Sequence, residues 1–422
     1  MYKTTIAATV ALTVLLMVIP RKYFMLPFIV CACFLPADQR VIIMDLDFTP
    51  LRILVLTGFL RIFLGKQEYR VRWNNFDRMV VVWALCGAIV YCIQWLNTKA
   101  FINRSGYLFD VFGLYWIFRH NVNSWDSIRL NLKIFAICSL FLAVLVGWEW
   151  GTGKNPFVAF GRVITEVRKG RYRCQASFPH SIMLGLFYAT LVPLFVGLAK
   201  TDKRKMLYWA AVAAGVFIVM ATASSTPIVT LAVVLLALFG FRWRRHMGQA
   251  ALGLLASLAA LHIVMNKPVW HLIARVNVVG GSTGWHRYKL IDSAIGHFGE
   301  WAFLGCRSTS DWGWGLEDIT NQYIIEGIRG GLVTLVLFLA MLYLAFRTIL
   351  NSSLAYREYQ RQWLCWCIVV AVIGHCAAFF GVSYFGQIMM LWYMMLSVVG
   401  FLAEGLPQKV SAFKSSLSLA YR

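Results

Sequence analysis

Apolar runs close to the length needed to cross a bilayer follow one another along this chain. They fall at about 5–19, 23–36, 50–64, 79–96, 105–118, 132–148, 178–199, 207–222, 225–241, 248–265, 322–346, 363–380 and 384–403. The first, second and fifth are short or broken, the first by Pro20-Arg21-Lys22. The pattern predicts one all-α, polytopic integral membrane domain of about twelve transmembrane helices over residues 1–422. Most polar interruptions between runs are short. Two are not, at 148–177 and 266–321, and the second is the longest stretch that cannot enter a bilayer. It gathers Arg, Lys, His, Asp and Glu side chains, turn glycines and Trp285, Trp301, Trp312 and Trp314. A membrane protein that keeps one large polar loop usually works there.

Composition agrees with the pattern. The chain is 60% hydrophobic and 14% charged, against about 25% charged in a soluble domain. The formal net charge of +22 would suggest nucleic acid on a soluble protein. Here the charge sits in short loops between spans, which points to membrane lipids and not to nucleic acid. Most of the ten cysteines lie inside apolar runs and read as small hydrophobes. Cys174 and Cys306 lie in polar loops and form the one candidate pair. The first run lacks a convincing cleavage site and reads as a retained span.

Orientation follows from the basic loops. The stretches 200–205, 242–246 and 347–361 are basic and separated by even numbers of spans. Placing them in the cytoplasm satisfies the positive-inside bias and puts the C-terminal Lys409 and Lys414 there too. The 148–177 and 266–321 loops then face outward. Yet 148–177 carries Lys154, Arg162, Arg168, Lys169, Arg171 and Arg173 against that bias. Either the loop is merely solvated among lipid headgroups, or it binds an anion, for which the planar Arg fork is suited.

Within the long loop, Gly280-Gly281 breaks the chain and Ser282 or Thr283 can cap a helix starting near Trp285. Tyr288, Ile291, Ile295 and Phe298 share one face of it, while Arg287, Lys289, Asp292 and Ser293 lie off that face. This predicts an amphipathic helix along the outer membrane surface. It either holds Arg287 at headgroup depth or is a plain cover with solvated charges. Residues 305–315 read as an interfacial loop with Trp312 and Trp314 as anchors, and 318–323 leads into the next span.

Three motifs lie between spans and at their entrances: Arg173 to Ser181 with Phe178 and His180, Ser224 to Pro227, and Arg287 followed by Asn321 and Gly330-Gly331. Together they resemble the O-antigen polymerase and ligase superfamily of bacterial envelope glycosyltransferases. In Arg173-Cys174-Gln175-Ala176-Ser177-Phe178-Pro179-His180-Ser181, the residues Arg173, Phe178 and His180 match the family's pattern, with Ala176 and Ser181 in place of its Gly and Asn. Ser224-Ser225-Thr226-Pro227 resembles its Ser-Arg-Gly turn without the Arg. Arg287, then Glu300-Trp301 to Gly305, then Asn321-Gln322-Tyr323 and Gly330-Gly331, resemble the long-loop Arg and the start of the following span. The ligase branch typically carries a His where this chain has Thr320, which tilts the resemblance to the exopolysaccharide polymerase branch.

The resemblance implies a GT-C-like enzyme of the bacterial inner membrane that polymerises undecaprenyl-pyrophosphate-linked oligosaccharides on the periplasmic face. Other polysaccharide-assembly proteins would be its partners. Ligation to lipid A core is the alternative reaction, and a flippase or exporter of the same lipid-linked glycan the alternative class. The leaving pyrophosphate needs fixed cations: Arg287 and Arg173, supported by Arg171 and Lys289, with Asn321 beside them. The attacking hydroxyl needs a base: Asp318, His286 or His180, in that order, with His180 equally readable as a structural histidine hydrogen-bonded at a helix mouth. Asp45-Leu46-Asp47 could hold a divalent ion, but no further acidic cluster completes a site. The expectation is therefore a metal-independent enzyme without a cofactor.

Overall fold

In the computed structural model the described residues are 1–43, 46–65, 71–162, 165–275 and 284–405. The helices, in chain order, begin with α1 (Lys3–Val18), α2 (Leu26–Phe34), α3 (Pro50–Leu64), α4 (Asn75–Trp95) and α5 (Thr98–Asn121). They continue with α6 (Trp125–Thr152), α7 (Ser181–Thr201), α8 (Lys205–Ala221), α9 (Ser225–Phe239) and α10 (Met247–Val264). The last are α11 (Gly284–Gly296), α12 (Phe298–Trp301), α13 (Gln322–Ala355), α14 (Tyr359–Phe379) and α15 (Gln387–Glu404). Each apolar run falls on a helix. Among the described residues, seven spans are long and apolar enough to cross a membrane, one of them the joined stretch Ser225–Val264. Lys3–Val18 and Lys205–Ala221 are apolar but shorter.

Two antiparallel hairpins interrupt the helical pattern: β1 (Val41–Ile43) with β2 (Leu46–Phe48), and β3 (Glu166–Arg168) with β4 (Arg171–Arg173). The candidate pair of thiols is not formed. Cys174 and Cys306 are both free, each held by its backbone to a different partner, Ala221 O and Ile328 O.

α7 is the central helix. It is apolar all round, and a helix of that kind must be surrounded; Met183 through Ala199 are buried without exception. Its neighbours approach closely through small residues, a usual device of membrane helices. A Cβ on Gly185 would meet Pro227 of α9 at 2.6 Å, and one on Gly374 of α14 would meet Val234 of α9 at 2.8 Å. α10 shows the converse. It too is apolar all round, yet none of its residues is buried, so its surface is left for lipid.

Polar clamps close the two ends of the bundle. At one end Asp77 accepts from Arg119 at 2.8 Å and from Tyr115 at 2.6 Å, while Arg119 also reaches Glu404 at 2.5 Å. At the other, Gln387 donates to Leu35 O and Ser177 O at 3.1 and 2.9 Å. Both hairpins and residues 284–321 lie at this second end.

α13 is broken at Gly331, where φ is 68° and ψ −179°, a backbone region open essentially to glycine alone. The segment 302–306 straps the break. Leu332 N donates to Ala302 O at 2.8 Å and Cys306 N to Ile328 O at 3.0 Å, so backbone groups released by the kink are satisfied by the strap. A Cβ on Gly331 would sit 2.3 Å from Phe303 O. Gly331→Ala is therefore expected to cost about 1–3 kcal/mol and to lower the melting temperature of the purified protein. Gly296→Ala, with open space around the new methyl, serves as the silent control. Equal melting of the two variants would remove the kink from this account.

Candidate functional site: a cation cluster under two loops

The site is built from the β3–β4 hairpin, the first residues of α7 and α9, and α11. The hairpin turns on Lys169 and Gly170, with φ of 50° and 72°. Two consecutive positive φ values make the tight turn whose twist suits antiparallel strands. The register pairs Glu166 with Arg173, Val167 with Tyr172 and Arg168 with Arg171. By the two-residue period of strands, Glu166, Arg168, Arg171 and Arg173 share one face.

Arg173 is 4% exposed, and both of its terminal nitrogens are engaged while its Nε has no partner among the described residues. Its Nη1 donates to both oxygens of Glu166 at 2.7 and 2.6 Å, and its Nη2 to Ser224 Oγ at 2.9 Å. The expected role of free phosphate cation does not fit this geometry; Arg173 ties the hairpin to the start of α9. Arg162 is engaged as well, on Asp38 at 2.8 Å, Gln175 Oε1 at 2.8 Å and Pro179 O at 2.6 Å. Glu149, wholly buried, accepts from Gln175 N, Ala176 N and Thr165 Oγ1 and so anchors the loop from beneath. Arg168 and Arg171 hold neither a hydrogen bond nor an ion pair among the described residues, and both are exposed.

Arg287 lies on α11, as predicted for the amphipathic helix, and the predicted cap at Ser282 or Thr283 lies outside the described residues. The helix turns Arg287, Leu290 and Ala294 toward the protein. Its expected apolar face points away, with Ile295 52% and Phe298 46% exposed. The Arg287 guanidinium is 8% exposed, and its Nε donates to Gly381 O at 2.9 Å in the loop between α14 and α15. No other hydrogen bond to it forms among the described residues, so its two terminal nitrogens are free to bind. Burial, followed by the nearby charge of Arg168, pushes its pKa down to about 10. It stays charged at neutral pH, and an anion would relieve both causes. Asn321 caps α13 by accepting from Ile324 N at 3.1 Å and donates to Phe380 O at 3.3 Å. Arg287 and Asn321 thus grip adjacent carbonyls of one loop.

His180 caps α7, its Nδ1 accepting from Ile182 N at 3.0 Å. Burial, then the Arg173 charge, holds its pKa below the usual histidine value. A neutral ring whose Nδ1 accepts carries its proton on Nε2. His180 is therefore placed as a donor, the helix-mouth histidine that the sequence reading held as an alternative to the base. His286 is arranged the other way: its Nε2 faces the carbonyl of Asp318 at 3.1 Å and must donate there, while Nδ1 has no partner among the described residues. The Asp318 carboxylate is exposed and unbonded among the described residues. Lys289 is exposed on the outer face of α11. The structure thus groups Arg168, Arg173, His180 and Arg287 through the hairpin, and sets His286 beside Asp318 at the mouth of α11. Arg171 is exposed on the hairpin face that carries Arg168, and Lys289 makes no hydrogen bond or ion pair with the cluster among the described residues.

Asp47 is paired with Arg40 at 3.0 Å, and its proposed companion Asp45 lies outside the described residues. No group of three or more potential metal ligands forms among those described. Sequence reasoning missed Glu166 and Glu149, and it noted Ser224 only within a family-like turn and not as a partner of Arg173. The Lys169-Gly170 turn between alternating segments was a legible hairpin signal, and it would have put Glu166 opposite Arg173. No family model matches the chain, and no curated protein matches it.

Glu166→Ala leaves a buried Arg173 without its counter-charge. The expected result is a loss of about 1–3 kcal/mol and faster tryptic cutting at Lys169 in the loosened hairpin. Unchanged melting and cutting would show that Arg173 does not depend on the pair.

Proposed function

We propose that this chain is a membrane glycosyltransferase that extends glycans carried on undecaprenyl pyrophosphate, an exopolysaccharide or O-antigen polymerase. The reading includes about twelve spans in a bacterial inner membrane, the hairpin end periplasmic and the C-terminus cytoplasmic. The observation that carries it is the buried Arg287, whose two terminal nitrogens have no partner among the described residues and which feels the charge of Arg168 from a distant loop. Two like charges contributed by two loops at one end of an apolar bundle suit a diphosphate, which offers several acceptor oxygens. The resemblance of the motifs around Arg173, His180, Arg287 and Asn321 supports the same chemistry.

In this mechanism Arg287 and Arg168 stabilise the charge that grows on the leaving pyrophosphate. The Nε2–H of His180 donates to the same group. Arg173, held by Glu166 and Ser224, positions the hairpin, while Arg171 and Lys289 draw the anion in. The acceptor hydroxyl attacks the anomeric carbon, the bond from that carbon to the phosphate oxygen breaks, and the pyrophosphate keeps the electron pair. The hydroxyl proton passes to Asp318, or to Nδ1 of His286. No metal or cofactor takes part, so transfer is expected to persist in excess chelator.

Cells lacking the gene and complemented with wild type are expected to make long polymer. Cells complemented with Arg287→Ala should accumulate single lipid-linked repeat units, with transfer slowed about 100-fold or more. Arg287→Lys keeps the charge without the fork and should fall between them. Long polymer that stays on the lipid carrier would favour the ligase reaction. Repeat units trapped on the cytoplasmic face would favour a transporter and contradict the mechanism.

A further inference from the structure

Behind the loop that Arg287 and Asn321 grip lies a separate cavity of about 280 Å³, between α4, α5, α13 and α15. One wall of it is that loop: Tyr384 N donates to Gln322 Oε1 at 2.9 Å. The cavity contains one carboxylate, Glu326, and two guanidiniums, Arg104 and Arg329. Both oxygens of Glu326 are taken by neutral donors, Trp83 Nε1 at 3.0 Å and Gln322 Nε2 at 2.7 Å. Neither arginine forms an ion pair or hydrogen bond among the described residues.

Arg104 is the telling group. It is 7% exposed, its guanidinium lies 3.6 Å from the centre of the Tyr91 ring, and its Nε is buried with no acceptor. Arg329 is the accessible member and lies within electrostatic range of both Arg104 and Glu326. Two cations against one carboxylate leave a surplus positive charge along the cavity, and an anion that met the buried Arg104 would offset the cost of its burial. About half of the remaining lining is aromatic, including Tyr107, Tyr384 and Trp392, with Ser383 beside them. Flat aromatic walls with a few planar polar groups suit a pyranose, whose C–H faces are apolar and whose rim is hydroxylated. The volume lies just below the usual range for ligand pockets of about 300–1,000 Å³, enough for one ring and not for a chain.

We propose that this cavity is a binding site for an acidic monosaccharide unit, its carboxylate on Arg104 and Arg329 and its ring against the aromatic wall. That this unit belongs to the glycan handled at the Arg287 cluster rests on the function proposed above; binding in the cavity does not.

The test is a calorimetric titration of the purified full chain in lauryldimethylamine oxide, a detergent without a sugar headgroup. The probes are glucuronic acid, glucose and inorganic phosphate. Glucuronic acid is expected to bind at least about tenfold more tightly than glucose or phosphate. Arg329→Gln should weaken it about tenfold, whereas Glu326→Gln, which removes the opposing negative charge, should tighten it. Opposite signs from two variants of one cavity are not produced by a general loss of folding. Arg287→Ala should leave glucuronate binding unchanged while abolishing polymer in cells, so the two readings fail separately. Equal binding of glucose, stronger binding of phosphate, or the same direction of change in both cavity variants overturns the proposal.

Discussion

A buried guanidinium with one carbonyl partner constrains this end of the molecule. Arg287 gives its Nε to Gly381 and keeps its other nitrogens uncommitted. That arrangement is costly in an apolar protein, because burial penalises the charge and Arg168 adds repulsion. It persists because α11 is fixed independently. Leu290 and Ala294 pack with Trp301, Trp312, Leu316 and Ile328 in a small core of their own. The indole of Trp301 donates to Ala294 O at 2.8 Å. The long loop is thus a folded cover that holds a cation where an unsupported chain would release it to water.

The break in α13 connects that cover to the bundle. Continuing the helix through Gly331 would leave no place for the strap at 302–306. With the break, carbonyls and amides of the two segments satisfy one another, and the short stretch 322–330 is set at its own angle. This stretch carries Gln322, Glu326 and Arg329 into the second cavity while Asn321 grips the 380–386 loop. One loop therefore lies between the two polar sites and touches both.

Much of this was legible in the chain. The apolar runs mark the helices because a lipid-facing segment has no alternative to internal hydrogen bonding. A helix carrying Arg287 was expected and is present as α11, whereas the capping of α13 by Asn321 was not read from the chain. What was hidden depends on which partners the fold brings in. Arg173 reads as a free cation until Glu166 and Ser224 are placed beside it. His180 was open between a base and a histidine at a helix mouth, and Ile182 N on its Nδ1 gives the second. Arg104 and Glu326, more than two hundred positions apart, read as ordinary charges near span ends until a cavity joins them. The direction in which α11 turns its faces was open as well, because periodicity gives an apolar stripe without saying whether protein or lipid covers it.

The claim that two separate loops form one anion site is tested most directly by a double-mutant cycle. Pyrophosphate affinity would be measured for the wild-type chain, Arg168→Gln, Arg287→Gln and the double variant. If both side chains hold the same anion, each single change weakens binding and the two are coupled by at least about 0.5 kcal/mol. Strict additivity, or binding untouched by either change, would mean that the loops carry independent charges and that no common site exists.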